Sequence, residues 1–154
     1  MSVEEKIKQE LLAKFTNIAA DQVRIQRARR IIADDPLDDF FSVLDYLIKQ
    51  QKFTQLSAIT GMDEMDKITL VYHLAHETGI VFNLKVAIAR LNPVMKTVIA
   101  YYPSAEIYER EIMDLLGVQF EGLPEGRRYP LPDEWPAGQH PLLKDWDPSI
   151  LDKK

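Results

Sequence analysis

The sequence predicts an α+β fold: a mixed, largely antiparallel sheet covered by helices on one face, followed by an extended, Pro-rich C-terminal tail. Three observations carry this. Apolar residues recur at helical spacing near the N-terminus, over residues 37–48 and before Gly117. Between residues 53 and 91 the apolar period falls to two, the period of half-buried strands. From Val118 onward both periods vanish, and six of the nine prolines and three of the six glycines crowd into the last 37 residues, where no long helix or central strand fits.

Taken in order, Ser2 and Glu5 form a Ser-x-x-Glu capping box, and Val3, Ile7, Leu11 and Phe15 make residues 3–15 an amphipathic helix. Residues 22–32 set Val23, Ile25, Ile31 and Ile32 among Arg24, Arg27, Arg29 and Arg30. A β-branched apolar set predicts one strand, and arginines on both of its faces suit a charged sheet edge. Asp35 before Pro36 predicts a helix cap with proline in the first turn, and Leu37, Phe40, Phe41, Leu44, Leu47 and Ile48 make the apolar stripe that follows. Residues 53–60 predict a strand ending at Gly61, with Asp63, Glu64 and Asp66 in the link. Ile68, Leu70, Tyr72 and Leu74 then alternate with their neighbours, as do Phe82, Leu84, Val86 and Ile88 after a Thr78-Gly79 turn, so consecutive strands run antiparallel. The stretch Thr97 to Tyr101 ends at Pro103. Ser104 is placed to cap a helix that runs through Leu116 and stops at a left-handed Gly117. Two regions result: an α+β domain over 1–117 and an extended partner-binding tail over 118–154.

Composition limits the chemistry. At 154 residues and 17.8 kDa the chain suits one core. The most apolar stretch, 80–91, is broken by Asn83, Lys85 and Arg90 well short of the roughly 20 residues a spanning helix needs. The acidic start Met1-Ser2-Val3-Glu4-Glu5 lacks the basic and apolar parts of a secretory signal, which predicts a cytoplasmic location. Without any cysteine, ordinary iron–sulfur ligation, a Cys-type zinc site, disulfides and a cysteine nucleophile are excluded, so any electrons travel on other chains. A net charge of -5 disfavours nucleic acid. No G-x-G-x-x-G, Walker or G-x-S-x-G pattern occurs. His73 and His76, beside Glu77, stand three apart on a strand and so face opposite ways, which makes them strand decoration rather than metal ligands.

The tail is nevertheless apolar. It holds Trp135 and Trp146 with Phe120, Tyr129, Leu131, Leu142 and Leu143, each worth about 1.5–3 kcal/mol if buried, so it needs a surface, either its own domain's or a partner's. Ahead of it lies the charged run Glu109-Arg110-Glu111-Ile112-Met113-Asp114. Glu106 precedes Arg110 by four and Arg110 precedes Asp114 by four, a surface ladder whose pairs contribute about 0.2–0.5 kcal/mol each. Glu111 and Asp114 could instead serve as acid and base in a free-standing small enzyme, although no nucleophile or ligand set accompanies them. A third reading is recognition, with charged helix and aromatic tail forming one docking surface.

The run Glu109-Arg110-Glu111-x-x-Asp114-Leu115-Leu116-Gly117-Val118-x-Phe120-Glu121-Gly122, then Arg127-Arg128-Tyr129, Trp135 and His140-Pro141-Leu142-Leu143-Lys144-Asp145, resembles the thirty-kilodalton (C) subunit family of respiratory NADH dehydrogenase, complex I. The same fold is similar to a component of energy-converting membrane-bound hydrogenases. The chain departs from the family pattern at Gly122-Leu123-Pro124, where Gly-His-Pro is common, and at Leu143 and Trp146, where Arg and Tyr are common. The resemblance implies a cofactor-free hydrophilic subunit, peripheral at the cytoplasmic face of a membrane-bound complex. Its implied partners are a large catalytic subunit, of quinone-site or NiFe hydrogenase type, and a small Fe–S subunit. Fe–S clusters, and NiFe, FMN or quinone according to branch, would belong to those partners. It further implies partner binding by Glu109, Arg110, Glu111, Asp114, Phe120, Arg127, Arg128, Trp135, Leu142, Lys144, Asp145 and Trp146, with no catalytic or metal residue in this chain and contact with the membrane only through the complex.

Overall fold

A computed structural model describes residues 1–34 and 39–152; the predicted Asp35 cap, Pro36 first turn and Leu37 lie outside them. The described residues fall into two compact units, Met1–Thr60 with Leu70–Ala87 and Gly61–Thr69 with Ile88–Lys154. The elements form a mixed α+β architecture with a five-stranded sheet ordered β1-β2-β5-β4-β3 and a separate two-stranded sheet β6-β7. The strands are β1 Val23–Arg27, β2 Arg30–Ala33, β3 Gln55–Asp63, β4 Lys67–Ala75, β5 Val81–Ala89, β6 Val94–Lys96 and β7 Gln119–Glu121.

In the first unit, helix α1 (Val3–Lys14) begins on the capping box. Glu5 N–H donates to Ser2 Oγ at 3.1 Å and Ser2 N–H to Glu5 Oε2 at 2.8 Å. It buries Ile7 and Leu11 and contacts β1 and β2. Residues 22–32 are not the single strand predicted but a hairpin, with Val23 opposite Ala33 and Ile25 opposite Ile31 and a register shift between Ile25 and Arg27. The turn is made by Arg29 at φ 61, a left-handed position without the glycine or asparagine that marks such turns in a sequence. Glu4 Oε1 accepts the Arg29 N–H at 2.7 Å and fastens this turn to α1. β1 is an edge strand, as its arginines suggest, and Arg24 pairs with Asp34.

Helix α2 (Phe40–Lys49) buries Phe40, Val43, Leu44 and Leu47, four residues of the predicted apolar face and its flank, and Phe40 meets Tyr72 of β4 at 4.9 Å between ring centroids. The chain passes from β2 through α2 to the far edge of the sheet and returns through β3, β4 and β5. β5 therefore arrives parallel to β2, with Arg30 opposite Val81 and Ala33 opposite Leu84. Within the five-stranded sheet the prediction of antiparallel consecutive strands survives, because its parallel pair β2-β5 joins strands distant in sequence.

In the second unit, β3 does not stop at Gly61 but continues to Asp63, and the turn falls at Met65, φ 72. Helix α3 (Ala105–Leu116) explains the glycine: a Cβ on Gly61 would run into the Leu116 side chain, so Gly61 serves close approach rather than chain reversal. Gly117 stops α3 in the left-handed region at φ 75, as predicted. Ser104 stands at the N-cap but makes no side-chain cap bond, because its backbone is already helical at φ -64, ψ -14. After α3 the chain adds β7 in parallel to β6, pairing the buried Phe120 with the buried Met95. Among the described residues beyond β7, the one regular element is a 3-10 turn, Pro148–Asp152.

Candidate functional site

Three buried carboxylates organise the second unit. Asp63, at the end of β3, has almost no exposed side chain and accepts four hydrogen bonds. Its Oδ1 takes Arg90 Nε at 2.7 Å and Met65 N at 2.9 Å; its Oδ2 takes Arg90 Nη2 at 2.9 Å and the backbone N of Lys144 at 2.8 Å. Arg90 also reaches Asp145 Oδ1 at 2.6 Å. The forked guanidinium thus spans a buried aspartate from the sheet and an exposed one from the tail. The Arg90 hydrogen bond is the main reason the Asp63 carboxyl lies well below the usual carboxylate range, and Asp145 is lowered by the same cation.

The second anchor is Asp114 on α3. Its Oδ1 accepts from Arg128 Nε at 3.2 Å and its Oδ2 from the backbone N of Leu131 at 3.1 Å, while its carbonyl accepts from His140 Nδ1 at 2.8 Å. Arg128 Nη1 donates to the Trp135 carbonyl at 3.0 Å. Trp135 and Trp146 stack at 5.8 Å between centroids, inclined by 29°. Both indole N–H groups donate to Gln139, Trp135 to its carbonyl at 2.9 Å and Trp146 to its Oε1 at 3.0 Å. The tryptophans are half-buried, partly against each other. The Leu142 N–H donates to the Leu115 carbonyl at 3.0 Å, and its side chain faces solvent.

Glu109 is placed differently from a partner-facing residue: it is fully buried, with Oε2 accepting Thr97 Oγ1 at 2.5 Å and Oε1 accepting Val98 N at 2.8 Å. Burial pushes its carboxyl above the ordinary range, against those two donors. Phe120 is buried in β7 as well. Of the predicted charge ladder, Glu106 and Arg110 do pair, at 2.9 Å, but Arg110 gives its remaining bond to the Pro124 carbonyl at 2.7 Å, and Asp114 is taken by Arg128. The Arg110–Asp114 rung is absent because the tail supplies both residues with partners from outside the helix. The same bonds commit both Asp114 oxygens to the tail. His73 bonds Thr60 Oγ1 and Asn83 Oδ1 within the sheet, and among the described residues no cluster of metal-ligating side chains occurs.

Arg110, Arg127 and Arg128 meet at one place that the sequence pattern does not foretell, a cleft of about 510 Å³ beside α3 whose walls include Ile107 and Tyr129. Ile107 and Arg110 stand three apart, on one side of a helix, which is the signal that could have paired them. Nothing local joins either to Tyr129. Lys144 and Asp145 lie at the Asp63 clasp instead, by backbone and carboxylate respectively. The partners Asp63 and Arg90, 27 positions apart, carried no such signal.

The mixed sheet, the helix stopped at Gly117 and the carboxylate-pinned tail define one class of protein, an α+β module closed by an irregular, aromatic-bearing C-terminal arm. The chain belongs to the family described as respiratory-chain NADH dehydrogenase, 30 Kd subunit, which it matches over residues 35–149. It is 34% identical to the C subunit of the NADH-quinone oxidoreductase of Moorella thermoacetica, over 72% of this chain and 76% of that one. To the C subunit of the F(420)H(2) dehydrogenase of Methanosarcina mazei it is 33% identical, over 89% and 87%. A chain of Methylococcus capsulatus, named as the C/D subunit of NADH-quinone oxidoreductase, is 40% identical over 50% of this chain and 13% of its own length. In structure the chain is similar to one in the membrane-bound sulfane sulfur reductase, an archaeal respiratory membrane complex, with a TM-score of 0.75, 28% identity and coverage of 99% and 90%. It is therefore a C-type subunit of a complex I-type or related respiratory membrane complex. Among the described residues no helix is long and apolar enough to cross a membrane.

Proposed function

We propose that this chain is the cofactor-free peripheral subunit of a complex I-type, ion-translocating oxidoreductase, or of its membrane-bound hydrogenase counterpart. It docks on the large catalytic subunit and a small Fe–S subunit at the cytoplasmic face, supporting assembly and electron transfer carried by Fe–S clusters, and by NiFe, FMN or quinone according to branch, in those partners. One observation carries the reading. The irregular arm is held in register by Asp63 and Asp114 and yet leaves Tyr129, Leu142, Ile150 and Leu151 exposed. An arm fastened at its backbone with apolar side chains turned outward suits a surface buried only in an assembly.

The Methylococcus capsulatus relative adds support, because a name joining C and D describes one polypeptide that carries both, which favours neighbouring positions in the assembly. Absence of cysteine fits a role in which other chains carry electrons. The test is to tag the chain in its native host, solubilise the membranes with mild detergent and identify the polypeptides that co-migrate. The expected result is one stable particle containing a large catalytic and an Fe–S subunit. Recovery of the chain only as a solitary monomer from those membranes and from the soluble fraction would refute the proposal.

A further inference from the structure

The cleft beside α3 has a chemistry that points to its occupant. Ile107 and Tyr129 stand 44% and 42% exposed at its apolar wall, and three arginines, Arg110, Arg127 and Arg128, line it with a single acidic residue, Glu106. The lining residues carry three positive charges and one negative, while Asp114 and Asp133, outside the lining, pair with Arg128 and Arg127. Two of the arginines are immobilised: Arg110 between Glu106 and the Pro124 carbonyl, and Arg128 between Asp114 and the Trp135 carbonyl. Gly126 sharpens this, since a Cβ there would collide with the Arg110 guanidinium, so the tail backbone lies directly on that group. Arg127 differs. Its side chain is 87% exposed, and Asp133, at 3.9 Å and itself 71% exposed, holds it only loosely.

From this we infer that the cleft receives an acidic segment of a partner polypeptide, whose Asp or Glu side chain meets the Arg127 fork while a neighbouring apolar side chain covers Ile107 and Tyr129. A guanidinium presents paired donors matched to a carboxylate, and such a pair gains strength once the apolar wall excludes water around it. Charge complementarity selects the occupant: a basic segment would face three guanidinium groups, and an uncharged one would leave Arg127 with only its long, exposed contact to Asp133. The inference rests on the proposed assembly and names where one contact of that assembly lies.

The test places the photo-crosslinking residue p-benzoylphenylalanine at Tyr129, in the cleft, and in a second strain at Leu142, outside it, in the full chain expressed in its native host. Crosslinked peptides are then identified by mass spectrometry in the purified complex. The expected result is a Tyr129-position crosslink to a segment of a co-assembled subunit that contains Asp or Glu. Arg127→Glu should reduce its yield at least fivefold while the Leu142-position crosslink persists, with Arg127→Lys intermediate. The inference is overturned if the complex forms and Leu142 crosslinks while Tyr129 does not, or if Tyr129 captures lipid or a segment without acidic residues. If neither position crosslinks and the chain is solitary, the proposed function fails along with it.

Discussion

Replacing Asp63 by asparagine removes one negative charge and changes almost no volume, so its effect measures the clasp itself. The carboxylate accepts two bonds from Arg90 and one each from the Met65 and Lys144 N–H groups. An asparagine carbonyl retains one oxygen as acceptor, and its amide turns donors toward Arg90 or Lys144. Hydrogen bonds to charged groups contribute about 1.5–3 kcal/mol each, so losing two would cost about 3–6 kcal/mol if Arg90 were stranded. It is not stranded: Arg90 keeps Asp145, and its side chain is 22% exposed. The expected loss is about 3 kcal/mol, at the lower edge of what breaking a buried pair costs and equivalent to roughly a hundredfold in the opening equilibrium. Amide hydrogen exchange at Lys144 and Leu142 reads that equilibrium, and both should lose about two decades of protection while the capped first turn of α1 is unaffected. The pH dependence follows from the sign of the shift. A carboxyl lowered in the folded state contributes stability that is present above its unfolded value of about 3.9 and is lost as pH falls toward the folded one. The difference between wild type and variant should therefore shrink below about pH 4. Exchange at Lys144 that changes less than threefold, or a difference that widens on acidification, would refute the clasp.

Glu109→Gln tests the opposite sign. Burial raises the Glu109 carboxyl, so its contribution is present below the ordinary value of 4.5 and is lost as pH rises through the folded one. Gln can still accept the Val98 N–H and can donate to Thr97 Oγ1, so the variant should be as stable as wild type or more so at neutral pH and less sensitive to alkali, as urea unfolding at several pH values will show; marked destabilisation at neutral pH would count against it. Gly117→Ala places a side chain at φ 75 with its Cβ 2.7 Å from the His140 ring. Left-handed strain of about 1–2 kcal/mol adds to the displacement of His140 from the Asp114 carbonyl, so thermal unfolding should fall by several degrees and His140 imidazole resonances should shift.

Much of the fold was legible because local rules and tertiary packing agree. The capping box, the α2 stripe, the alternation in β4 and β5 and the Gly117 stop each have a cause within a few residues of chain. What was missed has causes elsewhere. The hairpin turn at Arg29 lacks a turn residue and is held from α1 by Glu4, so composition alone merged two strands into one. Gly61 looked like a stop and is a point of close approach, visible only once α3 is laid against it. Glu109 carried a readable signal that its charge obscured: it occupies the stripe Ala105, Glu109, Ile112, Leu116, at i, i+4, i+7 and i+11, and so belonged to the buried face. The Asp63–Arg90 pair had no local signal, since its two residues lie 27 positions apart in the chain.

The three buried carboxylates share one device, and the device explains how an arm rich in proline and glycine can be ordered at all. Irregular backbone has no ladder to satisfy its N–H groups, and a buried N–H without an acceptor costs about as much as a lost hydrogen bond. Each carboxylate offers two oxygens and divides them between a backbone N–H of an irregular segment and a side-chain donor: Asp63 takes Lys144 N and Arg90, Asp114 takes Leu131 N and Arg128, and Glu109 takes Val98 N and the Thr97 hydroxyl. Register is thus set by main-chain bonds at a few points, without consuming the apolar side chains between them. An arm held by apolar burial alone would have had to turn Tyr129 and Leu142 inward; one held by carboxylates leaves them exposed.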